Sequence, residues 1–374
     1  MKIPTGIIAE FNPMHKGHAA IIAETGASVV VLSSNFVQRG SPAFIDKFTR
    51  ARTALDAGAD LVVELPFLFA CSAGQDFARG AVQLLSHFAD TIAFGMEDPD
   101  FDAEAILRVE TTPAYGETLR RELDRGASYP KAHALALDAV LPGAGAFITK
   151  PNNMLALSYM RENVYGLKVI AVKRQSGFSS RAVREDLAGC SHMLPEFSRK
   201  AITEGRVSDE SRLWPLVQGV MLRSRPEDLR RVWGIDEGIE GLFLKHWRDA
   251  DGLEDFIGRC VCARYTRAHI RRRLVYILLG LDRWEAMGAM RQGVPYARVL
   301  AFNAKGRELL RRASGIPVIT KLAQARGRAA RYFADVEFRA SHLYELTMNT
   351  PDFKRETQKP VIIPPETQSI RREY

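Results

Sequence analysis

The chain has 374 residues, 46% of them hydrophobic and 26% charged, an ordinary globular composition long enough that two domains are expected. No stretch approaches the roughly 20 consecutive apolar residues of a membrane span, and the N-terminus runs into a strand pattern without a signal-like apolar core, so the expected location is cytoplasmic. The net charge of +8 is unevenly spread: residues 1–200 carry 21 basic and 22 acidic residues (net −1), and residues 201–374 carry the remaining 31 and 22 (net +9).

Apolar runs of strand length lie at 5–11 (TGIIAEF), 28–34 (SVVVLSS), 60–65 (DLVVEL), 90–95 (DTIAFG) and 167–173 (LKVIAVK). Continuous Val/Ile-rich runs suit parallel strands covered on both faces. Helical periodicity fills the gaps at about 17–25, 44–58 and 71–87, and a cluster of helices is expected across 102–164 with no strand inside it. Strands alternating with helices imply βαβ units, hence an α/β, Rossmann-like doubly wound parallel sheet with a helical insertion. From about 190 onward the pattern is helical, as in RAHIRRRLVYILLGL (267–281). The expected division is therefore an α/β domain over 1–190 and a basic, mostly α-helical domain over 191–374. The last residues, 350–374, read as a surface or partly disordered tail.

Cys71, Cys190, Cys260 and Cys262 are too few and scattered for a disulfide framework. His87, His133, His192, His246, His269 and His342 show no metal spacing among themselves. No protein metal site is expected.

The stretch EFNPMHKGH (10–18) sits between the first strand and the first helix. In a doubly wound sheet that turn lies at the edge where ligands bind. The N–H groups of a helix N-terminus attract anions, and imidazoles beside them can donate to phosphate oxygens and spread the charge of a phosphoryl transfer. Gly17 leaves room for a nucleotide to approach the backbone. No Walker A loop and no dinucleotide fingerprint occurs here. A second element, SGFSSRAVREDL (176–187), follows the last expected strand. Ser179 and Ser180 can cap its helix, and Arg184 lies one turn inside, where a permanently charged, bidentate group suits phosphates.

The H-x-G-H pattern resembles the signature of HIGH-type nucleotidyltransferases, and 176–187 resembles the Ser-rich element with which that superfamily holds β- and γ-phosphates. Phe178 takes an Ile position there, and Arg181 a position usually held by a small hydroxyl residue. Longer blocks, GIIAEFNPMHKGH (6–18), NFVQRGSPAFIDKFTRARTALDAGADLVVELPF (35–67), FARGAV (77–82), FGMED (94–98), KPNNMLALSYM (150–160), RVLAFNAKGRELL (298–310) and IPVITK (316–321), resemble the bacterial tRNA(Met) cytidine acetate ligase family in family order.

The resemblance implies ATP, with Mg²⁺ carried on its phosphates, acetate and elongator methionine tRNA as partners, and acetyl-adenylate as intermediate. It places ATP on Gly6, Ile7, Ile8, Ala9, Glu10, Phe11, Asn12, Pro13, Met14, His15, Lys16, Gly17, His18 and Ala19, with His15 and His18 at the signature positions. Gly95, Asn152, Asn153, Arg174, Gln175, Ser179, Ser180 and Arg184 complete the expected nucleotide site. Asn35, Gln38, Arg39, Lys47 and Arg50 lie in the most family-like block. Their cations are expected to neutralise acetate or phosphate, with Lys47 and Arg50 counted as catalytic. Two departures fall nearby: KRQSGFSSR lacks a family Tyr and His, and Met96 replaces a family Ser.

Residues 261–331 hold 16 basic residues against Asp282, Glu285 and Glu308, the pattern of a nucleic-acid-binding face. Arg264, Arg267, Arg271, Arg272, Arg273, Arg311, Arg312, Arg326 and Arg328 are the expected phosphate contacts. Tyr265 and Tyr276 are the expected stacking platforms for unpaired bases. Two other functions remain open on the residues: a small-molecule nucleotidyltransferase of the same fold, and a non-catalytic nucleotide-dependent RNA-binding protein. The oligomeric state is not fixed.

Overall fold

The computed structural model describes residues 4–362. Eight strands form one sheet among these residues: β1 (Thr5–Ala9), β2 (Val29–Ser33), β3 (Leu61–Leu65), β4 (Thr91–Met96), β5 (Lys168–Lys173), β6 (Ala297–Phe302), β7 (Val318–Ile319) and β8 (Val361–Ile362). The order is β5-β4-β1-β2-β3-β6-β7, with β8 added to β6. Strands β1 to β5 are parallel. The chain steps outward from β1 through β2 to β3, then returns to place β4 and β5 on the other side of β1. That reversal opens a crevice at the C-terminal ends of β1 and β4.

Alternate residues explain the continuous apolar runs. Val29, Val31, Leu61 and Val63 face one core, while Val30, Leu32 and Val62 face a second core with Phe48, Ala51 and Ala54. Both faces of β2 and β3 are covered, so every position along them except Glu64 is apolar or small, and each buried Val or Leu contributes roughly 1.5–3 kcal/mol. The outer strand β5 differs. It pairs only with β4, and five of its six residues are exposed.

In the first half, helices α1 (Lys16–Thr25), α2 (Lys47–Asp56), α3 (Phe67–Ala70) and α4 (Gly74–Ser86) connect the first four strands. The insertion holds α5 (Ala103–Val109), α6 (Pro113–Asp124), α7 (Tyr129–Val140), α8 (Ala144–Ile148) and α9 (Pro151–Glu162), and α10 (Ser180–Glu185) follows β5. The second half is mainly helical: α11 (Glu196–Glu204), α12 (Trp214–Arg223), α13 (Pro226–Arg230), α14 (Ile239–His246), α15 (Leu253–Cys260), α16 (Arg267–Leu279), α17 (Arg283–Arg291), α18 (Ala304–Arg312) and α19 (Arg328–Glu345).

The second half also enters the sheet, which the expected division at residue 190 does not anticipate. β6 pairs antiparallel with β3, Phe302 opposite Leu61 and Arg298 opposite Glu64. A buried charge cluster fastens this junction. Lys47 of α2 pairs with Glu337 of α19 at 2.8 Å, with Glu356 at 3.0 Å and with Glu64 of β3. Arg298 of β6 pairs with Glu64 at 3.0 Å and with Glu356. Three carboxylates share two cations, and burial, reinforced by repulsion from Glu64, pushes the Glu337 carboxyl up to about 8.

The expected terminal tail is therefore anchored over its first part. Residues 355–357 form a short 3₁₀ turn that buries Glu356, and β8 pairs with β6. Residues 363–374 lie outside the described residues.

Candidate active site

β1 ends at Ala9, and the chain turns at Phe11, a non-glycine residue with φ of 47°, a left-handed conformation concentrated at functional sites. His15 then caps α1. Its Nδ1 accepts the backbone N–H of His18 at 3.3 Å, and the Nδ1 of His18 accepts the backbone N–H of His15 at 3.3 Å. The rings stack, with centroids 3.7 Å apart and planes 11° from parallel. Gly17 leaves room for this arrangement, since a Cβ there would sit 3.2 Å from Cε1 and Nδ1 of His15, tighter than most side-chain contacts. With Nδ1 of each ring accepting, the neutral proton resides on Nε2, leaving two Nε2–H donors. Burial and the Arg174 guanidinium lower the His15 imidazole to about 4. Burial, then His15 and Arg174, hold His18 well below its ordinary value.

These histidines line a cavity of about 490 Å³ at the C-terminal ends of β1 and β4. Of the residues expected at a nucleotide, Ile7, Ile8, Ala9, Glu10, Phe11, Asn12, His15, Gly17, His18, Gly95, Asn152, Arg174, Gln175, Ser180 and Arg184 line it. The Ser-rich segment folds back onto the β1–α1 turn: Ser180 donates to the carbonyl of Pro13 at 2.9 Å, and Arg184 donates to the carbonyl of Asn12. A Cβ on Gly95 would press on Cδ1 of Ile21 at 3.0 Å, and Ile21 itself lines the cavity.

The remaining expected nucleotide residues do not line it. Gly6 abuts Leu85 of α4, where a Cβ would overlap Cδ1 at 2.3 Å. Pro13 lies in the turn itself, Met14 is in the second core, Lys16 is exposed and Ala19 packs beside that core. Ser179 caps α10 by accepting from the N–H of Ala182 at 3.3 Å. Asn153 is fully buried, and its Oδ1 accepts the N–H groups of Glu97 and Asp98 at 2.9 and 3.1 Å. Met96 also points into the core rather than the cavity.

The two cations expected to be catalytic are displaced from the cavity by their burial. Lys47 is consumed by the charge cluster. Arg50 donates to four carbonyls: Glu10 at 2.7 Å, Ser33 at 3.1 Å, Ser34 at 2.6 Å and Ile45 at 3.0 Å. It ties the ends of β1 and β2 together. From the same block, Gln38 and Arg39 do reach the cavity, and Arg39 has no hydrogen bond or ion pair among the described residues.

Sequence reading left out Glu24, Gly74, Phe77, Met154, Leu155, Ser158, Tyr159 and Lys173, which also line the cavity. A usable signal existed for part of this wall: Asn152, Leu155 and Tyr159 recur at helical spacing in α9.

The basic half is heterogeneous. Arg271 pairs with Glu210 at 3.0 Å and with Glu254; Arg267 pairs with Glu254 at 3.0 Å. Arg272 donates to the carbonyl of Gln38 at 3.0 Å and Arg273 to that of Gly234 at 2.7 Å. Tyr265 and Tyr276, expected to stack on bases, are buried, their hydroxyls bonded to the carbonyls of Glu237 and Cys71. Arg264, Arg311, Arg312, Arg326 and Arg328 are exposed and have no ion pair among the described residues; Arg326 donates to two nearby carbonyls.

The profile of the family described as HIGH Nucleotidyl Transferase matches residues 1–359. A tRNA(Met) cytidine acetate ligase of Clostridium perfringens is 31% identical, the match covering 91% of this chain and 94% of the relative. One from Latilactobacillus sakei is 31% identical over 91% of this chain and 93% of its own. The crystal structure of Thermotoga maritima TmcAL bound with alpha-thio ATP superposes with a TM-score of 0.87 at 25% identity, covering 97% of this chain and all of that one.

Proposed function

We propose that this chain, which belongs to the HIGH nucleotidyltransferase family and within it to the tRNA(Met) cytidine acetate ligases, activates acetate with ATP as acetyl-adenylate and transfers the acetyl group to N4 of the wobble cytidine of elongator methionine tRNA. The observation that carries this reading is the pair of neutral, stacked imidazoles at the start of α1, whose Nε2–H donors suit a phosphate that gains charge during the displacement. The relative from Thermotoga maritima, solved with an ATP analogue, supports ATP as the nucleotide.

In this reading the adenosine end occupies the β4 and β5 side, near Gly95 and Asn152, and the phosphates lie over the N-terminus of α1. Arg184 and Ser180 sit beside that turn and are positioned to exchange their backbone partners for phosphate oxygens. Of Arg39, Lys47 and Arg50, Arg39 is the one left for the acetate carboxylate, since Lys47 and Arg50 are engaged elsewhere. The cavity carboxylates are Glu10 and Glu24, and no group of three His, Cys, Asp or Glu side chains suited to a metal occurs among the described residues. We assign Mg²⁺ to the ATP phosphates, where it would neutralise charge during the displacement.

The test is an incubation with ATP, Mg²⁺ and labelled acetate, with and without elongator methionine tRNA. Acetate-dependent pyrophosphate release and label in the tRNA are expected. Pyrophosphate release with a metabolite acceptor and none with acetate would favour the small-molecule nucleotidyltransferase instead.

A further inference from the structure

β1 lies between β4 and β2, so the residue that follows it stands between the two ends of the cavity. That residue is Glu10. On one side are Gly95 and Arg174, carried by β4 and the end of β5. On the other are Gln38 and Arg39, from the loop after β2, and Phe77 at the start of α4. The Oε1 of Glu10 accepts the backbone N–H of Gln38 at 2.8 Å. Its Oε2 takes no hydrogen bond or ion pair among the described residues and is not sealed in the core. A carboxylate with one oxygen anchored and the other open to a substrate cavity has the geometry of a proton acceptor.

We propose that Glu10 is the base of the acyl-transfer step, its Oε2 receiving a proton from the N4 amine of the target cytosine. This rests on the reading of the site as an acetyl-adenylate ligase. In the step, the N4 lone pair forms the new N–C bond at the acetyl carbonyl carbon. The C–O bond to the adenylate phosphate breaks, and its electron pair leaves with AMP. The N4 proton passes to Oε2. The same carboxylate selects the base, because cytosine offers an N4 amine donor where uracil offers the O4 acceptor.

The surroundings suit this role. Burial raises the Glu10 carboxyl, making the carboxylate a stronger base, while the Gln38 N–H and the charges of Arg50, Arg184 and Arg39 oppose the rise and favour the ionised form. Tyr159 of α9 and Cys71 also lie within electrostatic reach, and burial holds both well above their ordinary values, so they stay neutral.

The experiment compares Glu10→Gln with the unaltered full chain. Glutamine keeps a carbonyl acceptor for the Gln38 N–H and removes the base. Three quantities are read: acetate-dependent ATP–pyrophosphate exchange, measured in the presence of tRNA carrying U at the wobble position; single-turnover transfer of labelled acetyl to the C-bearing tRNA; and the affinities for the C- and U-bearing tRNAs. The proposal expects transfer to fall about 100-fold or more beyond any fall in exchange, and the binding preference for C over U at that position to shrink. Equal losses in both half-reactions, or no loss in either, overturn it in favour of a role in holding the 35–40 loop. Should Glu10→Gln not fold, the pH profile of the unaltered enzyme decides. An acid limb in transfer that is absent from exchange supports the proposal, and identical profiles overturn it. Absence of acetate-dependent exchange in the unaltered enzyme defeats the ligase reading itself, a result distinct from any of these.

Discussion

His15 and His18 each accept the other's backbone N–H through Nδ1, and their rings lie 3.7 Å apart, so one cap fixes the orientation and tautomer of both imidazoles. A helix start normally satisfies its free N–H groups with a hydroxyl or carboxylate. Here side chains of the site itself do so, and the same bonds that begin α1 aim two Nε2–H donors at the cavity.

With His15 lowered to about 4 and His18 held well below its ordinary value, neither ring titrates between pH 6 and 8. ¹⁵N-edited NMR of the ligand-free protein should show both as Nε2–H tautomers across that range. The unfolded chain binds a proton at each near pH 6.5 and the folded chain does not. Stability therefore falls as pH drops below about 6.5, continuing to about 4 for His15. A ring that titrates near 6.5 in the folded protein would contradict the buried cap.

His18→Ala should lower the adenylation rate by about 100- to 1000-fold, as expected for loss of one pre-aligned donor to a charge-gaining phosphate. His15→Ala should add a stability loss of about 1 kcal/mol, because it removes the cap of α1 as well. Single-turnover pyrophosphate release and thermal unfolding, measured on the same preparations, separate the two effects. Full adenylation in His18→Ala would remove the imidazoles from the chemistry.

The contrast between these histidines and Lys47 shows what a sequence discloses. H-x-G-H is local: strand before, helix after and three-residue spacing are all legible within 5–25. The first four strands are legible for a similar reason, since two-sided burial leaves an unbroken apolar run. β6 is a short apolar run too, but its partner β3 lies far away in the chain and its flanks are helical, so periodicity offers no reason to pair them. Lys47 and Arg50 look like ligand-binding cations because their neutralising groups are remote. Glu64, Glu337 and Glu356 meet Lys47 only in the folded chain, and the carbonyls that hold Arg50 are not encoded by side-chain type at all.

The charge cluster yields a stability prediction of opposite pH sense. Folded Glu337 holds its proton up to about 8, whereas the unfolded residue releases it near 4.5. Between those values the folded chain binds more protons, so this group's contribution is complete below about 4.5 and is lost as pH rises through about 8. The slope approaches 1.4 kcal/mol per pH unit where the difference is a full proton. Glu337→Gln should flatten that decline in denaturant unfolding followed from pH 5 to 8. Lys47→Met should cost about 3–5 kcal/mol, since it leaves buried carboxylates without their cation. An unaltered pH slope in Glu337→Gln would place the shared proton elsewhere in the cluster.

The arginines expected to meet tRNA divide by what already occupies them. α16 packs against the loop after β2, where the backbone of Arg271 and Arg272 meets Gly40, and Arg271, Arg272 and Arg273 spend their guanidinium groups on internal acceptors. α18 starts beside Asp60, at the opposite edge of the sheet, where Arg311 and Arg312 are exposed. Each arginine that neutralises a phosphate adds about 0.9 to the slope of log affinity against log salt on duplex and about 0.7 on single strands. Arg311→Gln combined with Arg312→Gln should therefore reduce the slope of tRNA binding by about 1.4 to 1.8 and leave thermal stability nearly unchanged. Arg271→Gln should do the reverse, lowering stability through Glu210 and Glu254 with little change in slope. A salt titration of tRNA affinity, paired with thermal unfolding of each variant, reads both quantities. If the α18 pair leaves the slope intact while Arg271→Gln flattens it, α16 gives up its internal ion pairs for phosphates on binding, and the RNA-contacting surface lies at the cavity mouth.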